Sequence, residues 1–366
     1  MVPTNTIYVA VHGGAGHHAV GSEQQVNKAL KRACIAAIQA PPASTSLDIV
    51  ERAIAVLEDE DCLNAGYGSN LTESGTVECD AAIMDGRTQD FGSIGAASHV
   101  KNPIKVAKAV LEHSREPDVL GRIRPLHLVS TGAQHFAASK ALTIVSAEDM
   151  ISPRAKAEWA KWKSGLELSS AETPSSVAES VMQDTVGAVA WDNKGDMAAG
   201  VSSGGLLLKY PGRVGEAAIF GAGCWAEQSL TSNHGMACSI SGAGEHIIRT
   251  CLARSIGDAL RPPEASPAEI DIDTHEVLHR VITHHFEKAT KDRGEHTPNA
   301  GVLLLTKEVG SDGAARPRLW CAFTTESMAV AYASSTQPKP KSSILRRPKR
   351  SGSTDASSVY ITSIPL

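Results

Sequence analysis

The sequence has no excess of positive charge: 35 Lys and Arg stand against 40 Asp and Glu, for a formal net charge of −5. That leaves no electrostatic footing on a phosphate backbone, so no nucleic-acid partner is expected. No apolar run approaches membrane-spanning length, which argues against a membrane partner. The opening MVPTNTIYVAVHGG enters a strand-like run without a basic segment followed by an apolar one, so no secretory signal is expected. Cys34, Cys62, Cys79, Cys224, Cys238, Cys251 and Cys321 are odd in number, scattered and mostly set in apolar runs. They form no CxxC pair or Cys/His spacing suited to zinc and read as buried thiols of a reducing, cytoplasmic or nuclear compartment. Aromatic side chains are scarce at 4%, and no internal repeat is visible. The core must therefore be built from aliphatic residues, with abundant Gly, Ala and Ser favouring closely packed layers.

What is present alternates between strand and helix signals. A β-branched run over 6–11 ends in His12-Gly-Gly-Ala-Gly16, a strand feeding a Gly-rich turn. Helices are expected over 22–38, with Ser22 and Gln25 as a capping box, and over 46–58 after a Thr45-x-x-Asp48 start. A turn-rich loop Asn64–Asn70 precedes strands near 76–84 and 92–98, and a helix follows Pro103. The stretch 146–183 turns polar and reads as a loop with some helix over 155–163. A hairpin of small residues comes next, 185–191 and 196–202 about a turn at 192–195. Helices near 244–260 and 274–291 and strands near 300–306, 318–324 and 327–333 complete the pattern. From 335 the chain is rich in Pro, Ser, Lys and Arg and reads as a disordered basic tail, a candidate nuclear signal. Apolar strands with helices in pairs suggest two sheets stacked face to face and covered by helices.

The chemistry gathers around Asp184-Thr185-Val-Gly-Ala-Val-Ala190, where a polar segment meets a buried strand at a threonine. If the bond before Thr185 is cut, that residue carries a hydroxyl and a free α-amine. The amine pKa of about 7.7–8 lets it serve as base near neutral pH. The plainer reading is that Thr185 merely starts a strand. Ser202-Ser203-Gly204-Gly205 ends the hairpin with hydroxyls beside glycines that admit a substrate. Arg213, in a Pro/Gly-rich loop, suits a two-pronged grip on a carboxylate. Ser241-Gly242 ahead of a helix could hold an oxyanion. Gly200-Val-Ser202-Ser-Gly204 also fits G-x-S-x-G, an α/β-hydrolase signature, although no helix start follows it. The carboxylates Glu78, Asp80 and Asp85 read as strand-end hydrogen-bond acceptors, and His17, His18, His234 and His246 have no ligand spacing.

The motifs HGGAG (12–16), NAGYGSN (64–70), ECDAAIMDG (78–86), DTVGAVA (184–190), SSGG (202–205), PGRVGEAAIFGAGCWAE (211–227) and SGAGEH (241–246) together resemble the plant-type asparaginase family of N-terminal-nucleophile (Ntn) hydrolases. Within it they are most similar to the endopeptidase branch, the threonine aspartases. The resemblance implies a four-layer αββα sandwich and self-cleavage into chains 1–184 and 185–366, an αβ heterodimer that pairs further to (αβ)2. Residues 146–183 would be the processing loop and 185–334 the body of the second chain. It implies Thr185 as nucleophile and base, Ser203 tuning its hydroxyl, and Ser241 and Gly242 as oxyanion hole. Arg213 would bind a substrate carboxylate, with Gly205 and Asn64 lining the site and His12-Gly-Gly behind the scissile strand. No cofactor is implied beyond a monovalent cation such as sodium near Asn64. Asp184 before the cut suggests a threonine-type endopeptidase cleaving proteins or peptides after Asp. Glu216 stands where asparaginases carry an Asp that binds a substrate ammonium, which keeps an isoaspartyl peptidase or L-asparaginase as the alternative. A non-catalytic Ntn fold used for binding also remains.

Overall fold

The computed structural model describes residues 6–168, 184–229, 234–262, 272–309, 315–348 and 359–366. In chain order come strand β1 (Tyr8–Gly16), helices α1 (Glu23–Ile38) and α2 (Ser46–Glu58), strands β2 (Cys79–Asp85) and β3 (Phe91–Ala97), and helix α3 (Pro103–Ser114). Then follow β4 (His127–Val129), α4 (Ser130–Ser139), α5 (Pro153–Leu168), and the hairpin β5 (Val186–Trp191) and β6 (Met197–Ser203). After β7 (Cys224–Gln228) and β8 (Gly235–Gly242) come α6 (Gly244–Thr250), α7 (Leu252–Leu260) and α8 (Thr274–Arg280), the last running on through a π-helical turn (Val281–Glu287) into α9 (Lys288–Lys291). Strands β9 (Ala300–Val309), β10 (Ala315–Phe323), β11 (Ser327–Ser334), β12 (Lys341–Arg346) and β13 (Tyr360–Pro365) end the chain.

Two sheets form. One has the order β12-β11-β1-β5-β6-β2-β3-β4, the other β13-β10-β9-β8-β7. Strands β1, β5 and β6 lie over β7, β8 and β9, α1–α3 cover the outer face of the first sheet, and α7 and α8 pack on the second. This is the αββα sandwich. Period-two alternation sends Val186, Ala188 and Ala190 of β5 into the core beneath α1–α3, and Val189 and Trp191 into the core between the sheets. Gly187 also faces the second sheet: a Cβ there would strike Ser239 and His12, so only glycine lets the sheets approach at this point.

Local signals explain most boundaries. Thr45 and Asp48 form the expected capping box. Ser22 does not: its hydroxyl donates to the Ala19 carbonyl (2.9 Å) in a preceding 3₁₀ turn, so α1 starts without that cap. The segment expected as one helix over 244–260 breaks at Cys251, which takes a left-handed conformation (φ 44°) between α6 and α7. The largest correction concerns the tail. Residues from 335 are not a free basic tail, because β12 pairs antiparallel with β11 and β13 with β10. An exposed sheet edge offers hydrogen bonds to any extended backbone, whatever its side chains. Arg346 is tied to Glu23 and to the His18 carbonyl (2.8 Å), and Arg347 to the Thr324 carbonyl (2.8 Å). Residues 169–183, the last part of the expected processing loop, and 349–358 lie outside the described residues, while 153–168 of that loop form α5.

Alternation also separates two adjacent serines. Ser203 faces the second sheet, while Ser202 turns to the helices and donates to Glu58 Oε1 (2.7 Å), which also accepts from the Ile104 N–H (2.9 Å). The buried Ser202 is therefore no nucleophile elbow. Burial pushes the Glu58 carboxyl up to about 8. The folded protein thus holds a proton that the unfolded chain releases near the ordinary value of about 4.3, and the stability this contributes is lost as pH rises through about 8. Glu58→Gln should flatten the decline in Tm between about pH 5 and pH 8. An unchanged slope in melts at several pH values would show that Glu58 is not the group responsible.

Candidate active site

Three ends of secondary structure meet where the sheets face each other: the start of β5, the end of β6 and the end of β8. By its parity Thr185 shares the inter-sheet face of β5 with Gly187 and Val189, and it is buried. Its Oγ1 lies 3.1 Å from Ser203 Oγ and 2.8 Å from Glu216 Oε1. The Thr185 N–H donates to Ser241 Oγ at 3.3 Å, which also accepts from the Ala15 N–H at 3.0 Å. Ser241, on the second sheet, thus ties the Thr185 nitrogen and the neighbouring strand β1 of the first sheet together.

Asp184 is packed against the Gly-rich turn. Gly14, in a positive-φ conformation (φ 106°), sits where any side chain would overlap the Asp184 side chain. His18 Nε2 is 3.9 Å from Asp184 Oδ2, and burial pushes the Asp184 carboxyl up. His12 lies behind β5, as expected, with Nε2 2.8 Å from Ser239 Oγ; burial lowers its pKa to about 3, so the ring is neutral.

Around the Thr185 hydroxyl the charges are paired. Arg213 donates through Nε (2.9 Å) and a terminal nitrogen (2.8 Å) to the two oxygens of Glu245. The same guanidinium and Lys209 Nζ each come to 3.0 Å from where a Cβ on Gly205 (φ 68°) would sit. Two cations therefore flank one side-chain-free position, a setting for a carboxylate. Glu216 is buried; its Oε2 and the Arg213 guanidinium both approach the Cβ position of Gly244, at 2.5 and 2.7 Å. Burial pushes the Glu216 carboxyl up, opposed by Arg213 and by the Thr185 hydroxyl. Asp80 accepts from the Ala96 and Gly215 N–H groups (each 2.8 Å) and so fixes the Arg213–Glu216 loop, a strand-end acceptor as expected.

The other expected residues play supporting parts. Asn64 makes no bond to Thr185: it donates to the Gly205 carbonyl (2.9 Å), accepts from the Asn70 N–H (2.8 Å), and so props the SSGG turn. Gly242 (φ 142°) lets the chain pass Asn299 tightly. Arg213 is engaged by Glu245, whereas Asp184 lies in the Gly14 and Gly16 cradle. Asp184 is therefore held apart from Arg213. Glu245 and Lys209 were missed as site residues. Glu245 stands in the SGAGEH motif and Lys209 just ahead of PGRVGEAAIFGAGCWAE, yet the pairing of Glu245 with Arg213 depends on a loop closing onto a helix. The carbonyls of Glu60, Asp61 and Leu63 crowd the position a Cβ on Gly68 would take, and the Asp61 carbonyl accepts from Arg154 Nε (2.7 Å). Among the described residues, no three His, Cys, Asp or Glu side chains gather as a metal site, and no helix is long and apolar enough to cross a membrane.

Comparison with known proteins agrees with this arrangement. Residues 5–281 match the family model described as asparaginase. The isoaspartyl peptidase/L-asparaginase of Xenopus laevis is 36% identical over 306 residues, 83% of each chain. The isoaspartyl peptidase of Salmonella typhimurium is 36% identical, over 69% of this chain and 78% of its own. The plant-type L-asparaginase of Pyrococcus horikoshii is 32% identical over 92% of this chain and all of its own length. With the sandwich and the threonine at the head of its central hairpin, these matches show that the chain belongs to the asparaginase family of N-terminal-nucleophile hydrolases and is an enzyme of that amidohydrolase group.

Proposed function

We propose that this chain cuts itself before Thr185 and that the freed Thr185 then hydrolyses the side-chain amide bond of aspartyl substrates, as an isoaspartyl peptidase or L-asparaginase. The observation that carries the substrate class is the pair of opposite charges beside one hydroxyl. Glu216 lies 2.8 Å from Thr185 Oγ1, and Arg213 shares a contact point with it over Gly244. A substrate bearing a carboxylate and an ammonium on one carbon, next to the amide to be cut, matches both. The relatives' names point the same way.

In the mature enzyme the Thr185 amine takes the proton of Oγ1 as Oγ1 attacks the amide carbon. Ser203 orients the hydroxyl, Ser241 and Gly242 face the developing oxyanion, and a water then releases aspartate from the ester. The two chains, 1–184 and 185–366, stay together as an αβ heterodimer because β1 remains paired with β5 across the cut. Further pairing to (αβ)2 and a monovalent cation such as sodium near Asn64 belong to the same proposal. A second reading, a threonine endopeptidase cutting proteins after Asp, is favoured by Asp184 itself: a self-cleaving site with Asp on its acyl side is already a peptide cut after Asp.

Three measurements test this. Intact mass spectrometry should find fragments 1–184 and 185–366 in wild type and one uncut, inactive chain in Thr185→Ala; an active uncut wild type would refute the scheme. Arg213→Ala should lower kcat/KM by about 10- to 100-fold, as for the loss of hydrogen bonds to a charged group; unchanged kinetics would remove Arg213 from the substrate site. Mature enzyme should release aspartate from a β-aspartyl dipeptide or ammonia from L-asparagine faster than it cuts a peptide after an internal Asp. The reverse ranking would install the endopeptidase reading.

A further inference from the structure

Self-cleavage has a requirement that later turnover does not. In the mature enzyme the nitrogen of Thr185 is an amine; in the uncut chain it is an amide, its lone pair delocalised into the Asp184 carbonyl, and it cannot accept a proton. Some other group must relieve Oγ1 of its hydrogen. The neighbours are few. Ser203 at 3.1 Å is a hydroxyl and too weak a base. Ser241 is engaged by two backbone N–H groups. His12 is turned to Ser239, and the Asp184 carboxyl packs against Gly14 and Gly16 with no hydrogen bond to Oγ1. Among the described residues, Glu216 is the carboxylate within hydrogen-bond distance of Oγ1.

We propose that Glu216 is the base for self-cleavage, taking the Thr185 hydroxyl proton on Oε1 as Oγ1 attacks the carbonyl carbon of Asp184. This rests on the cleavage before Thr185 proposed above. As the Oγ1–C bond forms, the carbonyl becomes an oxyanion. When the C–N bond breaks, the nitrogen leaves as the amine of Thr185, taking up the proton that Glu216 removed. The product is an ester between the Asp184 acyl group and Oγ1. One water resolves it, its hydroxyl going to the acyl carbon and its hydrogen to Oγ1, with no change of oxidation state. The charged groups facing Glu216 are Arg213, itself loaded by Glu245, and Asp80. Burial strengthens the carboxyl as a base, while Arg213 limits its loss to protonation. Once the cut is made, the amine assumes the role of base, and Glu216 is free to meet a substrate ammonium. One carboxylate thus serves two successive stages.

The test follows freshly translated full-length chain by intact mass over time at several pH values. Wild-type cleavage should accelerate as pH rises through the carboxyl titration and then level off. Glu216→Gln should slow it by about 100-fold or more, the loss expected for a general base. Glu216→Asp, which keeps the carboxylate but shortens its reach, should fall between. Wild type cut at 184/185 with Glu216→Gln cut equally fast would overturn this role and leave the cleavage reading standing. Wild type never cut would end both. If Glu216→Gln fails to fold in a thermal melt, the wild-type profile decides: a rate that does not fall as pH drops to the ordinary carboxyl value of about 4.3 overturns the assignment.

Discussion

Everything chemical in this molecule depends on the face-to-face stacking of two sheets through small residues. Thr185 heads a strand whose inter-sheet positions include a glycine, and Ser241 reaches across from the second sheet to accept from the Thr185 N–H. A bulkier residue at 187 would force the sheets apart and take Ser239, and with it the neighbouring Ser241, away from the Thr185 nitrogen. Close packing here is therefore a condition of the geometry of cleavage as well as of stability.

On that frame the site is organised by charge in an enclosed space. Arg213 and Lys209 crowd Gly205, Glu216 faces the nucleophile, and Glu245 and Asp80 hold the intervening loop from outside and behind. Opposite charges at short range in a buried site select substrates by leaving one partner bare when the wrong molecule enters, which costs more than a missed contact in water. The same burial raises the basicity of Glu216, which the proposed role in self-cleavage uses.

Much of this was legible in the residues. The capping box at Thr45 and Asp48, the turn at 192–195 and the alternation through 185–203 are local, and local rules describe them. The inter-sheet face of Thr185 and Ser203 follows from counting by twos. What failed depended on distant partners. The Ser, Lys and Arg of the last thirty-odd residues look unstructured by composition, yet two edge strands waiting at β10 and β11 recruit parts of them. Ser22 lost its cap to a preceding turn, and Arg213 found Glu245 only because a loop folded against the start of α6.

By itself, then, the chain determined its family, its sandwich architecture and the threonine at its chemical centre, since motifs and strand periodicity are short-range properties of the backbone. Only the tertiary structure decided which groups touch that threonine. Glu216 lies beside Oγ1, Ser202 is committed to Glu58 while Ser203 is not, and Asp184 lies in a glycine cradle away from Arg213. Such contacts join residues up to 227 positions apart, as His12 and Ser239 are. They exist only once packing, at atomic distances, has closed the space between the sheets.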